Sequence, residues 1–271
     1  MTNKIPILVD SHCHIHASEY DFVIKKVLAE AKEAGISKMI CVGADSKTSH
    51  EAVEFCLNGL GQPDCYFSLA LHPHEAAKLT SEQLESEFEE IRRLAHKHSG
   101  SGKLVAIGEC GLDYFYHDSK EVRLAQAELL RWHLDIAKEL DLPLIFHVRE
   151  AFDDFWPIYD EYKTLGVLHS FSDTVQRVDE AVDRGTLFFG LNGIMTFTKQ
   201  EEQLEAARRI PLEKLMLETD APYLTPEPLR GTINTPANVR LVANFLSDLR
   251  GEASDLLADQ TTANARQLFG I

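Results

Sequence analysis

The segment Ile7-Leu8-Val9-Asp10-Ser11-His12-Cys13-His14 sets the reading of the whole chain: a short apolar, β-branched run hands over directly to a carboxylate and two histidines two residues apart. In an extended segment the side chains at i and i+2 point to the same face, so His12 and His14 share one face while Cys13 points to the other. The arrangement recurs along the chain. Short apolar runs at Ile7–Val9, Lys38–Gly43, Tyr66–Leu71, Leu104–Gly108, Leu144–Val148, Val167–Ser170, Leu187–Leu191 and Leu215–Glu218 read as strands. Between them Phe22–Ala34, Ser81–His98, Val122–Leu140 and Val175–Arg184 place apolar residues at helical spacing, and Thr235–Leu249 and Ser254–Leu268 read as two closing helices. Strands alternating with amphipathic helices imply a parallel sheet with helical crossovers, and eight such units close an α/β TIM barrel, (β/α)8. The length agrees, because 271 residues match the roughly 250 of one such barrel, so a single domain over residues 1–271 is expected. Ser99–Lys103 is a loop within one unit, and the glutamate-rich stretch Glu82–Glu90 is a solvated helix face.

Composition narrows the class of protein. An apolar fraction of 44% and a charged fraction of 26% are those of an ordinary globular chain, which excludes a disordered or disulfide-scaffold reading. Cys13, Cys41, Cys56, Cys65 and Cys110 form no CxxC pair and are odd in number, which points to a reducing, cytoplasmic setting. Met1–Asp10 lacks the apolar core of an export signal, and Gly185–Lys199, the longest uncharged stretch, falls short of the ~20 apolar residues of a membrane span. With 27 basic and 43 acidic side chains the net charge is −16, the opposite of the basic footprint of tight nucleic-acid binders. A polyanionic substrate therefore has to be held locally, and bound divalent cations could do this. The helix-rich exterior gives no signal for a stable protein partner.

Active sites of such barrels lie at the C-terminal strand ends, where this chain concentrates histidine and carboxylate. Strand one is followed by His12 and His14, strand three by His72-Pro73-His74, and strand four by Glu109-Cys110-Gly111-Leu112-Asp113. Strands five, six and eight add His147, His169 and Glu218-Thr219-Asp220. Six of the twelve histidines thus fall at one mouth, where a random distribution would spread them over helices and loops. Imidazole and carboxylate in this mixture suit zinc, manganese or magnesium, and the lack of thiolates argues for a catalytic rather than a structural site. Cys13 and Cys110 are expected to point away from the barrel axis and pack against the helices.

Three motifs carry a resemblance. Asp10-Ser11-His12-Cys13-His14, Gly108-Glu109-Cys110-Gly111-Leu112-Asp113 and Glu218-Thr219-Asp220-Ala221-Pro222-Tyr223-Leu224 resemble the TatD family of metal-dependent deoxyribonucleases, barrel hydrolases related to the amidohydrolases. The resemblance implies a two-metal site, with His12, His14, Glu109 and Asp220 holding one divalent ion and Glu109 bridging to a second held by His147 and His169. It departs from the family at His169-Ser170-Phe171-Ser172-Asp173, where His-Cys-Phe-Ser-Gly is common, and at Thr232 and Thr235, where lysine and glutamate are frequent.

The expected reaction is hydrolysis of a DNA phosphodiester, on single-stranded or frayed ends, by water activated on metal. Asp220 is the candidate general base. His72 and His74 read either as phosphate or leaving-group contacts or as rim histidines fixing the loop around Pro73. Arg149, on the same face as His147, and Arg230 read either as phosphate clamps or as partners of carboxylates. Tyr114, Phe115, Tyr116, Phe171 and Tyr223 could stack on unpaired bases or fill gaps between loops. Two rivals stand beside this reading. A metal-dependent amidohydrolase or esterase acting on a small molecule shares most of these ligands, but many such enzymes carry a carboxylated lysine where this chain has Glu109. A silent scaffold has no need of buried charges that require metal.

Overall fold

The computed structural model describes residues 6–20, 23–61 and 64–271. Eight strands pair in sequence order, each parallel to the next: β1 (Leu8–Cys13), β2 (Ile36–Val42), β3 (Cys65–Leu69), β4 (Leu104–Asp113), β5 (Leu144–Arg149), β6 (Gly166–Leu168), β7 (Leu187–Leu191) and β8 (Leu215–Leu217). Among the described residues the helices are α1 (Ile24–Glu33), α2 (Ser46–Leu57), α3 (Glu75–Lys78), α4 (Ser81–His98), α5 (Lys120–Leu140), α6 (Phe152–Tyr162), α7 (Val175–Arg184), α8 (Ile194–Phe197), α9 (Glu201–Arg209), α10 (Val239–Arg250) and α11 (Ser254–Phe269). The (β/α)8 barrel expected from the alternation is therefore present. Phe22, the expected start of the first helix, and the first five residues lie outside the described residues.

The seam between β8 and β1 is closed by hydrogen bonds that belong to the site as much as to the sheet. The Asp220 N–H donates to the His12 carbonyl at 2.9 Å, and the His14 N–H donates to the Ala221 carbonyl at 2.7 Å. Asp10 accepts from the Thr219 N–H at 2.9 Å and from its hydroxyl at 2.6 Å. Buried and surrounded this way, Asp10 has its carboxyl pushed up to about 8, mainly by desolvation. The opposite end of the barrel is stoppered by α11, whose Ala265, Leu268 and Phe269 pack on the inner-face residues Val9, Ile40, Ile145 and Phe188. Each fully buried side chain of this kind contributes roughly 1.5–3 kcal/mol of burial free energy. Asn264 fastens the helix by donating to the Leu212 and Leu215 carbonyls at 2.8 and 2.7 Å.

Strand ends differ from the expected boundaries in both directions: β3, β6 and β8 stop at Leu69, Leu168 and Leu217, short of the expected Leu71, Ser170 and Glu218, while β1 and β4 run on. The polar stretches that looked like exits from β1 and β4 remain in the strands, so His12 and Glu109 sit within strands rather than beyond them, and His147 lies inside β5 as the expected bounds Leu144–Val148 have it. Pairing of Cys110–Asp113 with Phe146–Arg149 supplies the hydrogen bonds that hold the ends of β4 and β5 extended. Gly111 shows how tight that pairing is, since it has φ +150° and a Cβ there would lie 1.9 Å from the His147 carbonyl oxygen. Cys13 and Cys110 are fully buried in the outer cluster between sheet and helices, as strand parity predicts. Among the described residues no helix is long and apolar enough to cross a membrane.

Candidate metal centre

The six expected ligands converge at the C-terminal mouth, and all of them but His12 line a cavity of about 710 Å³. Glu109 lies at their centre. Its Oε2 is 3.3 Å from His12 Nε2, while Asp220 Oδ1 is 3.6 Å from His12 Nε2 and 3.3 Å from His14 Nε2. The two histidine nitrogens are 3.2 Å apart. Four donors bound at ~2.0–2.1 Å around one tetrahedral centre stand about 3.3–3.4 Å from one another, so this quartet has the dimensions of a metal shell. The other carboxylate oxygen, Oε1, faces a second group: His147 Nδ1 at 2.8 Å, His169 Nε2 at 3.5 Å and His72 Nε2 at 3.5 Å. One carboxylate thus serves two adjacent donor sets.

Electrostatics fit the same picture. Burial depresses His12, and the charge of His169, stacked on it at 3.5 Å between centroids, depresses it further. Burial opposes protonation of His147 and His169 as well, but hydrogen bonds to Asp113 and Glu109 carry His147 up to about 9, and the charges of Glu218 and Glu109 carry His169 up to about 10. Burial works against the ionised form of Glu109, yet the charges of His169, His72 and His12 hold it well below the usual carboxylate range. Without an ion the buried carboxylates are neutralised by protons on imidazole; a divalent cation held by these residues would take over that role and release those protons. The donor set, nitrogen and oxygen without thiolate, suits zinc, manganese or magnesium.

Three outer residues received no role in the sequence reading. Glu218 lies 2.9 Å from His169 Nδ1, and Gly190 makes room for it, since a Cβ there would lie 2.1 Å from Glu218 Oε2. Asp113 Oδ2 meets both His147 Nε2 and His74 Nε2 at 2.9 Å, and its Oδ1 accepts from the Phe115 and Tyr116 N–H groups at 3.0 and 3.4 Å. Gln126 on α5 clamps the Asp113 backbone, accepting from its N–H at 2.9 Å and donating to its carbonyl at 3.1 Å. Glu218 and Asp113 had a usable signal, because each lies on the same strand parity as Asp220 or Glu109. Gln126 had none, since its partner is fixed only by the packing of α5.

Asp113→Asn tests this support. Whichever way the amide is turned, its NH2 faces N–H donors, either the two imidazoles or the two backbone amides, so one pair loses its acceptor. We expect metal affinity to fall about 10–100-fold with the fold intact, read by titration with Mn²⁺ and by circular dichroism. An unchanged affinity would remove Asp113 from the site.

The remaining expected contacts separate. His74 faces the cavity and is held by Asp113. Arg149 also lines the cavity and pairs with no carboxylate among the described residues; its guanidinium lies over Phe115 at 3.7 Å and Tyr116 at 5.1 Å from the ring centroids. Arg230 is outside the cavity lining, donating to the Thr225 carbonyl at 2.9 Å and lying 3.9 Å over Phe197. Tyr116 and Tyr223 line the mouth, Tyr114 donates to Asp154 at 2.9 Å, and Phe171 is buried in the outer cluster.

Comparison with known proteins gives the family. The family model described as TatD related DNase matches residues 9–270. The chain is 36% identical to an uncharacterized metal-dependent hydrolase, YcfH, of Escherichia coli, over 97% of this chain and 96% of that one. It is 34% identical to a protein of Erwinia tasmaniensis named 3'-5' ssDNA/RNA exonuclease TatD, over 91% and 93% of the two chains. The crystal structure of YJJV, a TatD homolog from Escherichia coli, superposes with a TM-score of 0.89 at 28% identity, covering 99% of this chain and 100% of that one.

Proposed function

The chain belongs to the TatD family of metal-dependent hydrolases, and from that premise we propose that it cuts phosphodiester bonds of DNA, trimming single-stranded or frayed ends. The observation that carries the proposal is Glu109, one oxygen of which faces His12 at 3.3 Å and the other His147 and His169 at 2.8 and 3.5 Å. A shared carboxylate of this kind suits a pair of divalent ions, with His12, His14 and Asp220 on one side and His147 and His169 on the other. Such a pair supplies charge neutralisation at a phosphate and a water acidic enough to act as nucleophile near neutral pH.

The chain's own residues do the rest. Asp220 Oδ1 faces the imidazoles, and among the described residues Oδ2 has no partner, so it is free to take the proton of the attacking water. Arg149, paired with no carboxylate among the described residues and braced on an aromatic shelf, is placed to hold a phosphate of the strand. Tyr116 and Tyr223, on opposite sides of the mouth, offer faces on which terminal bases stack. A cavity of about 710 Å³ accepts a strand end more readily than a duplex. The name of the Erwinia relative adds a direction, 3' to 5', and RNA as a second substrate to try.

The test is cleavage of end-labelled single-stranded DNA by metal-stripped protein given back magnesium, manganese or zinc. Laddering that returns with metal supports the proposal. Two bound ions without cleavage would reject it, and amides and esters of small molecules would then be screened, because the cavity wall also carries Glu19, Asp45 and Glu75.

A further inference from the structure

Four imidazoles of the cluster sort by what meets the nitrogen turned away from Glu109 and Asp220, while Nδ1 of His12 meets no partner among the described residues. For His14 it is the Val42 carbonyl at 2.8 Å, for His147 Asp113 Oδ2 at 2.9 Å, and for His169 Glu218 Oε1 at 2.9 Å. Each is an acceptor. An acceptor there keeps the ring proton on the far nitrogen and leaves a lone pair on the near one, which is what a metal needs.

His72 is wired the other way. Its Nδ1 is met by the backbone N–H of His74 at 3.2 Å, and an amide N–H only donates. Nδ1 must therefore be the unprotonated nitrogen, and the proton sits on Nε2, which points at Glu109 Oε1 from 3.5 Å. The local chain enforces this. Pro73 between the two histidines restricts the backbone, and the Glu75 N–H donating to the His72 carbonyl at 2.9 Å closes the turn that aims the His74 amide inward. By distance alone His72 belongs with Glu109 and His147 as a third donor to a metal. By proton placement it has no lone pair to give.

We propose that His72 is not a ligand of the second ion but a fixed hydrogen-bond donor to the substrate, its Nε2–H directed at a phosphate oxygen on which negative charge builds in the transition state. The inference rests on the phosphodiester reading above and names the group that stabilises that charge. A preorganised N–H in a site screened from water is worth far more than the same bond in solvent, and removing one such donor costs about 10²–10³ in turnover.

The test uses His72→Ala, which removes the donor, and His72→Gln, which returns an N–H at similar reach. Manganese bound per chain is counted by mass spectrometry after equilibrium dialysis, and the visible spectrum of the Co²⁺ form is recorded. We expect both variants to bind as many ions as the parent, with affinities within about threefold, and to give the same cobalt spectrum. On end-labelled single-stranded DNA, kcat of His72→Ala should fall about 10²–10³-fold with KM little changed, while His72→Gln stays within about tenfold of the parent. Loss of an ion or a changed cobalt spectrum in both variants would make His72 a ligand and overturn the proposal. So would an undiminished kcat in His72→Ala. If the parent protein leaves DNA intact, the nuclease reading fails by itself, and the ion count together with turnover of bis(p-nitrophenyl) phosphate still decides the role of His72.

Discussion

Replacing Glu109 by glutamine is expected to remove at least one of the two proposed ions and lower metal-dependent hydrolysis by on the order of 10⁴-fold or more. Glu109 is buried, and both of its oxygens are engaged, Oε2 with His12 and Oε1 with His147, His169 and His72. Glutamine keeps one oxygen and turns the other into an NH2 that only donates, so one donor set loses its shared oxygen whichever way the amide lies. The negative charge that offsets two adjacent dications disappears at the same time. Metal counting reads the first effect and DNA cleavage the second. A third readout is independent of any substrate: chelation should lower the melting temperature of the parent, because ions bind only the folded state, and should shift the variant less. Two ions retained at parental affinity would show that Glu109 does not bridge.

The barrel was legible in the sequence because its strands are short apolar runs separated by long amphipathic segments, a contrast that survives without any knowledge of partners. Leu187–Leu191 and the helices Ser81–His98 and Val175–Arg184 fall where periodicity puts them, since core and solvent faces there differ sharply in polarity. Strands one, four and five were read too short, while strands three, six and eight were read too long at the mouth, since they end at Leu69, Leu168 and Leu217. In β4 the polar Glu109 and Asp113 look like an exit from the sheet, yet Leu104–Asp113 is extended and buried throughout, because at the mouth of the barrel the interior is polar by design of the site. The candidate ligands stood out because metal binding needs several rare side chains at once, and six histidines near strand ends are hard to explain otherwise. What surrounds them was less accessible. The proton on His72 is set by a backbone amide, Asp113 acts through imidazoles 34 and 39 residues away, and Gln126 reaches it from a helix. Such contacts depend on which atoms face each other, and that is a property of the packed barrel rather than of any local pattern.

Asp220→Asn is expected to separate binding from chemistry, with turnover reduced about 10²–10⁴-fold while both ions remain. The backbone permits the exchange. Asp220 has φ +57°, a left-handed conformation that asparagine adopts as readily as aspartate, and its N–H still closes the barrel on the His12 carbonyl. The side chain can keep an oxygen where Oδ1 now stands, 3.3 Å from His14 Nε2, so a donor to the first ion survives, weakened by the lost charge. The atom in the place of Oδ2 becomes an NH2 that cannot accept a proton. If Asp220 is the base, the variant binds metal and DNA and does not cut. If Asp220 serves only as a ligand, the lost activity returns at higher metal concentration, because mass action refills the site. Measuring cleavage across a metal titration, with the ion count taken on the same samples, distinguishes the two. It also guards the nuclease assignment, since cleavage identical to the parent at every metal concentration would belong to a contaminant and not to this barrel.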